Sequence, residues 1–224
     1  MQVLPTLLSA LALATCAASA NASVALAELP GRDGHGPITV FYPSNDPAAP
    51  LQRGPFRFML ADKGLPATGN QRLIVISHGS GANAMVQADI AQAMVRAGYI
   101  VALPEHAGDN WHDKSAVGPA SWQLRPLEIS HAIDALAAEP RFAPLFNAKR
   151  IGMFGMSAGG HTALTLAGGR WSRAQLLAHC EAQLQQDFAG CTGAATELKG
   201  DFLDGIKQAI AMPLIRRNLV GDTT

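Results

Sequence analysis

The segment Arg150 to Gly169, RIGMFGMSAGGHTALTLAGG, constrains this chain more than any other. Its apolar run Ile151 to Phe154 reads as a short buried strand. The run passes directly into Gly155-Met156-Ser157-Ala158-Gly159, and then into His161 to Ala167, which has the composition of a packed helix. A Gly-x-Ser-x-Gly set between a strand and a helix is the nucleophile-elbow pattern, and the reason is steric. The turn is so tight that the serine backbone is strained. The residues two before and two after it must lack side chains for strand and helix to approach. A hydroxyl is thereby held at the strand tip, above a helix N-terminus whose unpaired N–H groups favour negative charge. A chance pentapeptide is the competing reading in a chain with 22 glycines, and the strand before and helix after argue against it. Ser157 is the candidate nucleophile, and the Ala158 N–H a candidate donor to an oxyanion.

A second motif stands upstream. Leu73 to Ser77 (LIVIS) is a continuous apolar run, as expected of a parallel strand covered on both faces. His78-Gly79-Ser80-Gly81 follows it at once. A glycine-rich turn there points backbone N–H groups into the crevice at the strand ends, where open α/β sheets bind ligands. The Ser80 N–H would complete an oxyanion hole with that of Ala158. Between the motifs, Asn83 can cap a helix to about Ala97, with Met85, Ile90, Met94 and Val95 inward and Gly98 closing it. Ile100 to Leu103 is the next strand. Arg125 to Ala138 is a helix with Pro126 in its first turn and Leu127, Ile129, Ile133 and Leu136 apolar. Upstream, residues 23–37 read as an extended lead-in and SNDPAAP as a loop. Ile38–Tyr42 and Phe56–Leu60 read as strands of an antiparallel edge. Three buried strands alternating with helices predict an α/β class chain, a three-layer α/β/α sandwich with a mostly parallel sheet and right-handed crossovers. The elbow strand is expected near the edge of the sheet, with Leu164 and Leu166 on its uncovered side.

The order LIVISHGSG, then Arg125-Pro126, then RIGMFGMSAGGHTA resembles the dienelactone-hydrolase-like branch of the α/β-hydrolases, some members of which are similar to platelet-activating-factor acetylhydrolases. The resemblance spans roughly Ile38 to Arg170. It implies Ser157 as nucleophile, oxyanion N–H groups from Ser80 and Ala158, a structural His78, and a His161 packed under the elbow. The implied reaction is hydrolysis of a small-molecule carboxylic ester or lactone, with no cofactor and no metal. In these hydrolases an acid and then a histidine follow the serine on later strand ends. Here His161 and His179 follow Ser157, both on predicted helices, and Glu181, Asp187, Glu197, Asp201 and Asp204 lie in a polar helical stretch. The expectation is the N-terminal part of a longer hydrolase, weak in activity and folding as it stands, with a non-catalytic truncated remnant or interaction protein of the same fold as the alternative. Glu105-His106-Ala-Gly-Asp109-Asn-Trp-His112 follows the second parallel strand and rims the same crevice. His106 is therefore a candidate substitute base, and His106, Asp109 and His112 a weaker candidate metal set. His78, His106 and Asp109 are the expected pocket residues.

Composition bounds the rest. With 224 residues, 48% hydrophobic, 15% charged and a formal net charge of zero, the chain fits one globular domain. The neutral balance gives no electrostatic case for nucleic acid. Residues 1–22 read as a signal peptide. Leu7 to Ala18 is apolar yet too short to span a bilayer, and Ala18-Ser19-Ala20 and Ala20-Asn21-Ala22 suit cleavage. The alternatives are an ordinary first helix and a lipoprotein anchor at Cys16. No stable membrane span is expected, and the chain is expected to be exported, periplasmic or secreted. Export makes Cys180 and Cys191 a candidate disulfide, two buried thiols being the competing reading. The domain plan is signal peptide 1–22, hydrolase portion 23–170 and helical cap 171–224.

Overall fold

The computed structural model describes residues 22–170 together with 172, 174 and 178. The expected signal segment up to residue 21, the expected helical cap apart from those three residues, and the Cys180–Cys191 pair lie outside the described residues. The elements run β1 (Ser23–Leu29), β2 (Ile38–Ser44), β3 (Ala49–Arg53), β4 (Phe56–Asp62), β5 (Leu73–Ser77), α1 (Ala88–Arg96), β6 (Ile100–Pro104), α2 (Pro119–Ala138), β7 (Ile151–Gly155) and α3 (Ala158–Leu166). The strands form one seven-stranded mixed sheet in the order β3-β4-β1-β2-β6-β5-β7. The half that carries the site is parallel: β5 pairs with β6 and with β7, in registers that set Leu73 opposite both Ile100 and Ile151. β2 joins it antiparallel to β6. Among the described residues β7 is one of the two edge strands, near the edge where the sequence placed it.

The continuous apolar runs have their physical reason in two cores. α1 covers one face, packing Ala88, Ala91 and Val95 on Phe41, Ile76, Val101 and Leu103. α2 and the end of α3 cover the other, where Ile129, Ala132, Ile133, Leu136 and Leu166 meet Val40, Val75, Ala102 and Phe142. Alternate residues of β6 supply both faces, so every position of that strand is buried. This is the three-layer α/β class fold expected from the strand–helix alternation.

Five local expectations are corrected. Residues 23–29 are not a lead-in but β1, paired with β2 from Ser23↔Ser44 to Leu29↔Ile38; small alanines hide an inward pattern that only the neighbouring strand makes sense of. Part of the proline-rich stretch forms β3, where Pro50 is tolerated because β3 lies at the sheet edge. Val95 is buried and Met85 and Met94 pack against the core as expected, but Ile90 is exposed and Gln92 takes a buried place instead. α2 starts six residues early, at Pro119, so Pro126 lies inside it rather than in its first turn. Leu166 is buried in the α2-side core, whereas Leu164 is 70% exposed.

Candidate active site

β7 delivers its last residue, Gly155, to a turn with no room for side chains. A Cβ at Gly155 would stand 2.0 Å from the Gly159 carbonyl oxygen, and one at Gly159 would stand 2.0 Å from that of Ser77. Both glycines are therefore obligatory, for the close approach of α3 to β7 and to β5. Ser157 between them adopts φ 53° and ψ −121°, a strained conformation for a residue with a Cβ. It is the N-cap of α3 and solvent-exposed. Ala158 is the first helical residue, so its N–H lacks an intrahelical acceptor and is available to a ligand at Ser157. The two-motif arrangement closes at Gly79, whose Cβ position is 3.5 Å from the Ser157 Cβ. The His78–Gly81 turn and the elbow are direct neighbours.

Beneath them lies a polar cluster with almost no water contact. His78, His106, Asp109, Arg125 and Glu128 are all buried. The His106 ring bridges the Ser77 hydroxyl, 2.7 Å from its Nε2, and the Glu128 carboxyl, 2.5 Å from its Nδ1. The other Glu128 oxygen accepts the Ala107 N–H at 2.8 Å. The Arg125 guanidinium donates to Asp109 Oδ2, to the His78 carbonyl at 2.6 Å and, at 3.4 Å each, to Ser77 Oγ and the Gly79 carbonyl. Asp109 Oδ1 accepts the Ser80 hydroxyl at 2.6 Å and the Gly81 N–H at 2.9 Å. The His78 Nδ1–H donates to the Gly79 carbonyl at 2.7 Å, and its Nε2 accepts the His106 N–H at 3.2 Å, which fixes its neutral tautomer.

Burial sets the charge states. It lowers His78 to about 4, with His106 and Arg125 adding to the effect. It also lowers His106 well below the ordinary histidine value. Burial raises the Glu128 carboxyl to about 7. On Asp109 burial pushes upward, but the Ser80 hydroxyl, the Arg125 charge and the Gly81 N–H together hold the carboxyl below its usual value. His161, one turn beyond Ser157, is lowered to about 4 by burial and Arg125, and its ring packs on Trp122 at 5.3 Å.

Sequence reading named Ser157, Ser80, Ala158, His78, His106 and Asp109, and the fold brings all six to one end of the parallel strands. It does not bring His106 to Ser157 as a base: both ring nitrogens are taken, by Ser77 and Glu128, and the side chain is fully buried. Of the plainer alternative, a polar loop whose histidines are solvated or hydrogen-bonded, the second holds for His106, which is buried and hydrogen-bonded. His112 leaves the cluster for an exposed pair with Glu105 at 2.9 Å, so it shares no metal set with His106 and Asp109. Among the described residues no three His, Cys, Asp or Glu side chains are grouped as a metal would require. No helix among them is long and apolar enough to cross a membrane. The hollows lined by Pro43, Met59 and Arg96, and by Arg72, Tyr99 and Arg150, do not include Ser157. Reading missed Ser77, Glu128 and the buried role of Arg125. A signal existed: Arg125 and Glu128 fall in phase with the apolar stripe Ile129, Ala132, Ile133, Leu136, where charge needs a buried partner.

No protein-family model matches the sequence, and no curated protein matches it. Among solved structures, the fold is similar to that of a ferulic acid esterase from Streptomyces cinnamoneus, with a TM-score of 0.53 and 22% sequence identity. The match covers 67% of this chain and 56% of that one, so the chain spans little more than half the esterase's length. At that identity the likeness speaks for the fold alone, an α/β-hydrolase type of sandwich.

Proposed function

We propose that the chain carries the nucleophile half of a serine hydrolase acting on small carboxylic esters or lactones. One observation carries the reading: the strained Ser157 stands exposed at the tip of β7, against a glycine turn and at the N-terminus of α3. The Ser157 hydroxyl attacks the ester carbonyl, and its proton ends on the departing alcohol oxygen. The Ser80 and Ala158 N–H groups receive the oxyanion, the alcohol leaves, and water then releases the acyl group. His78 and His106 take no part as base, since their ring nitrogens are committed to Gly79, the His106 backbone, Ser77 and Glu128. They form the floor of the site. The two motifs, set on a fold similar to that of an esterase, support ester chemistry and the dienelactone-hydrolase-like branch.

The test is p-nitrophenyl butyrate hydrolysis by the full chain and by Ser157→Ala. Turnover above background that vanishes in the variant is the expected result, and equal rates in both would reject the reading. The same committed nitrogens favour a second reading, a non-catalytic protein of this fold. It predicts background rates together with a cooperative thermal melt.

We also propose export. The first strand begins at Ser23, directly after Ala20-Asn21-Ala22. N-terminal sequencing of the mature protein from a periplasmic or medium fraction tests this, and an intact Met1 there would reject it. In that compartment Cys180 and Cys191 pair, with two free thiols by non-reducing mass analysis as the contrary result.

A further inference from the structure

The turn that carries Ser80 is closed by a backbone bond from the Ala82 N–H to the Gly79 carbonyl at 3.2 Å, yet the proposed chemistry needs the Ser80 N–H aimed to within a few tenths of an ångström. Two buried side chains do the holding. From one side the fully buried Arg125 binds the carbonyls of His78 and Gly79. From the other Asp109, itself ion-paired to Arg125 at 2.9 Å, binds the Ser80 hydroxyl and the Gly81 N–H. Across a planar trans peptide the carbonyl of one residue and the N–H of the next point in opposite directions. The Gly79 carbonyl accepts the His78 Nδ1–H at 2.7 Å, the Ala82 N–H at 3.2 Å and Arg125 at 3.4 Å, while the His78 carbonyl before it accepts Arg125 at 2.6 Å; with both carbonyls held in this way the Ser80 N–H turns away from the helix α2 side. Gly79 lies against Ser157.

We propose that Arg125 is a positioning residue for the oxyanion site: it holds the His78 and Gly79 carbonyls on its own side of the turn and so aims the Ser80 N–H into the crevice at Ser157. The proposal rests on the serine-hydrolase reading for its catalytic consequence. A paired charge buried this deeply often stabilises a fold no better than packed apolar residues of equal volume. Its value here lies in geometry. A guanidinium can serve a carboxylate oxygen and two successive carbonyls from one rigid plane, which a lysine ammonium cannot.

The experiment uses the full chain with Arg125→Lys and, as the milder change, Ser80→Ala, which keeps the N–H but loses the bond to Asp109. Amide hydrogen exchange is read at residues 78–82 against residues 100–104 of β6. Turnover of p-nitrophenyl butyrate is divided by the sites titrated with a fluorophosphonate. The per-site rate separates positioning from stability, because a merely destabilised protein loses competent sites and not rate per site. Arg125→Lys should speed exchange at 80–81 by at least about tenfold over β6. It should also lower the per-site kcat by about 10²-fold, the size of effect seen when an oxyanion donor is lost, with KM within about threefold. Ser80→Ala should lower the per-site kcat by about tenfold, the worth of one good hydrogen bond. Parent-like exchange and per-site rate in Arg125→Lys would overturn the proposal; if that variant fails to fold, the same parent-like result in Ser80→Ala overturns it. A parent chain that takes no label at Ser157 rejects the serine-hydrolase reading instead. The exchange comparison alone then decides whether Arg125 sets the turn.

Discussion

Replacing Gly159 by alanine places a methyl carbon 2.0 Å from the Ser77 carbonyl oxygen, 2.6 Å from its carbon and 3.0 Å from the His78 carbonyl oxygen. The first distance is about 1.3 Å inside the shortest ordinary C···O approach of roughly 3.3 Å. All three atoms are backbone, and Ser77 ends β5, which is hydrogen-bonded on both sides to β6 and β7. No rotamer can relieve the overlap, so α3 has to move off the sheet. That puts the cost at the upper end of the overpacking range, about 3 kcal/mol, or a melting temperature lower by about 6–12 °C for a domain of this size. Gly160 is the internal control. A Cβ there meets nothing closer than the Gly155 carbonyl oxygen at 3.4 Å, and alanine in a helix is better than glycine by about 0.5–1 kcal/mol. Urea midpoints of the two variants should thus move in opposite directions at unchanged m. A Gly159→Ala chain within about 0.5 kcal/mol of the parent, an ordinary surface-substitution effect, or a Gly160→Ala chain as damaged as it, would refute the reasoning.

Three further outcomes are expected. Ser157→Gly should be more stable than Ser157→Ala by about 1 kcal/mol, because glycine accepts φ 53° without the Cβ penalty; equal denaturation midpoints would contradict a strained elbow. Burial raises the Glu128 carboxyl from its ordinary value of 4.5 to about 7 in the folded chain. Between those values the folded state holds more protons than the unfolded one, so this group's stabilisation is present below pH 4.5 and lost as pH rises through 7. Relative to Glu128→Gln the parent should lose about 3 kcal/mol over that window, and a difference independent of pH would be the contrary result. Phe142→Ala should cost about 3–5 kcal/mol, since its buried ring packs edge-on to Tyr42 at 5.1 Å; a loss under about 1 kcal/mol, well below that range, would mean the site collapses around the gap.

What the sequence made legible follows its chemistry. LIVIS and IVAL were readable as parallel strands because both faces of each are covered, and that leaves an apolar run no loop would show; IGMF leaves the same kind of run, although at the sheet edge each of its residues is only half-buried and not buried as expected. Gly155, Ser157 and Gly159 were readable because steric exclusion at a tight turn depends on residue type and spacing alone. β1 was not readable: Ala25 and Ala27 face the core, but alanine carries little strand signal until β2 lies beside it. The buried network was half readable. Asp109 and His106 stood out as polar residues after a strand, whereas Arg125 and Glu128 resembled the exposed charges of any helix. Their burial depends on three-dimensional partners, Asp109 for Arg125 and His106 for Glu128, which lie 16 and 22 residues away.

The account's central claim is that Ser157 is a nucleophile held at a strained elbow. The most direct measurement is to treat the full chain with a fluorophosphonate, digest it and locate the adduct by mass spectrometry. The account predicts one adduct on the peptide holding Met156-Ser157-Ala158, absent from Ser157→Ala. An adduct on any other residue, or labelling that survives the substitution, would contradict it.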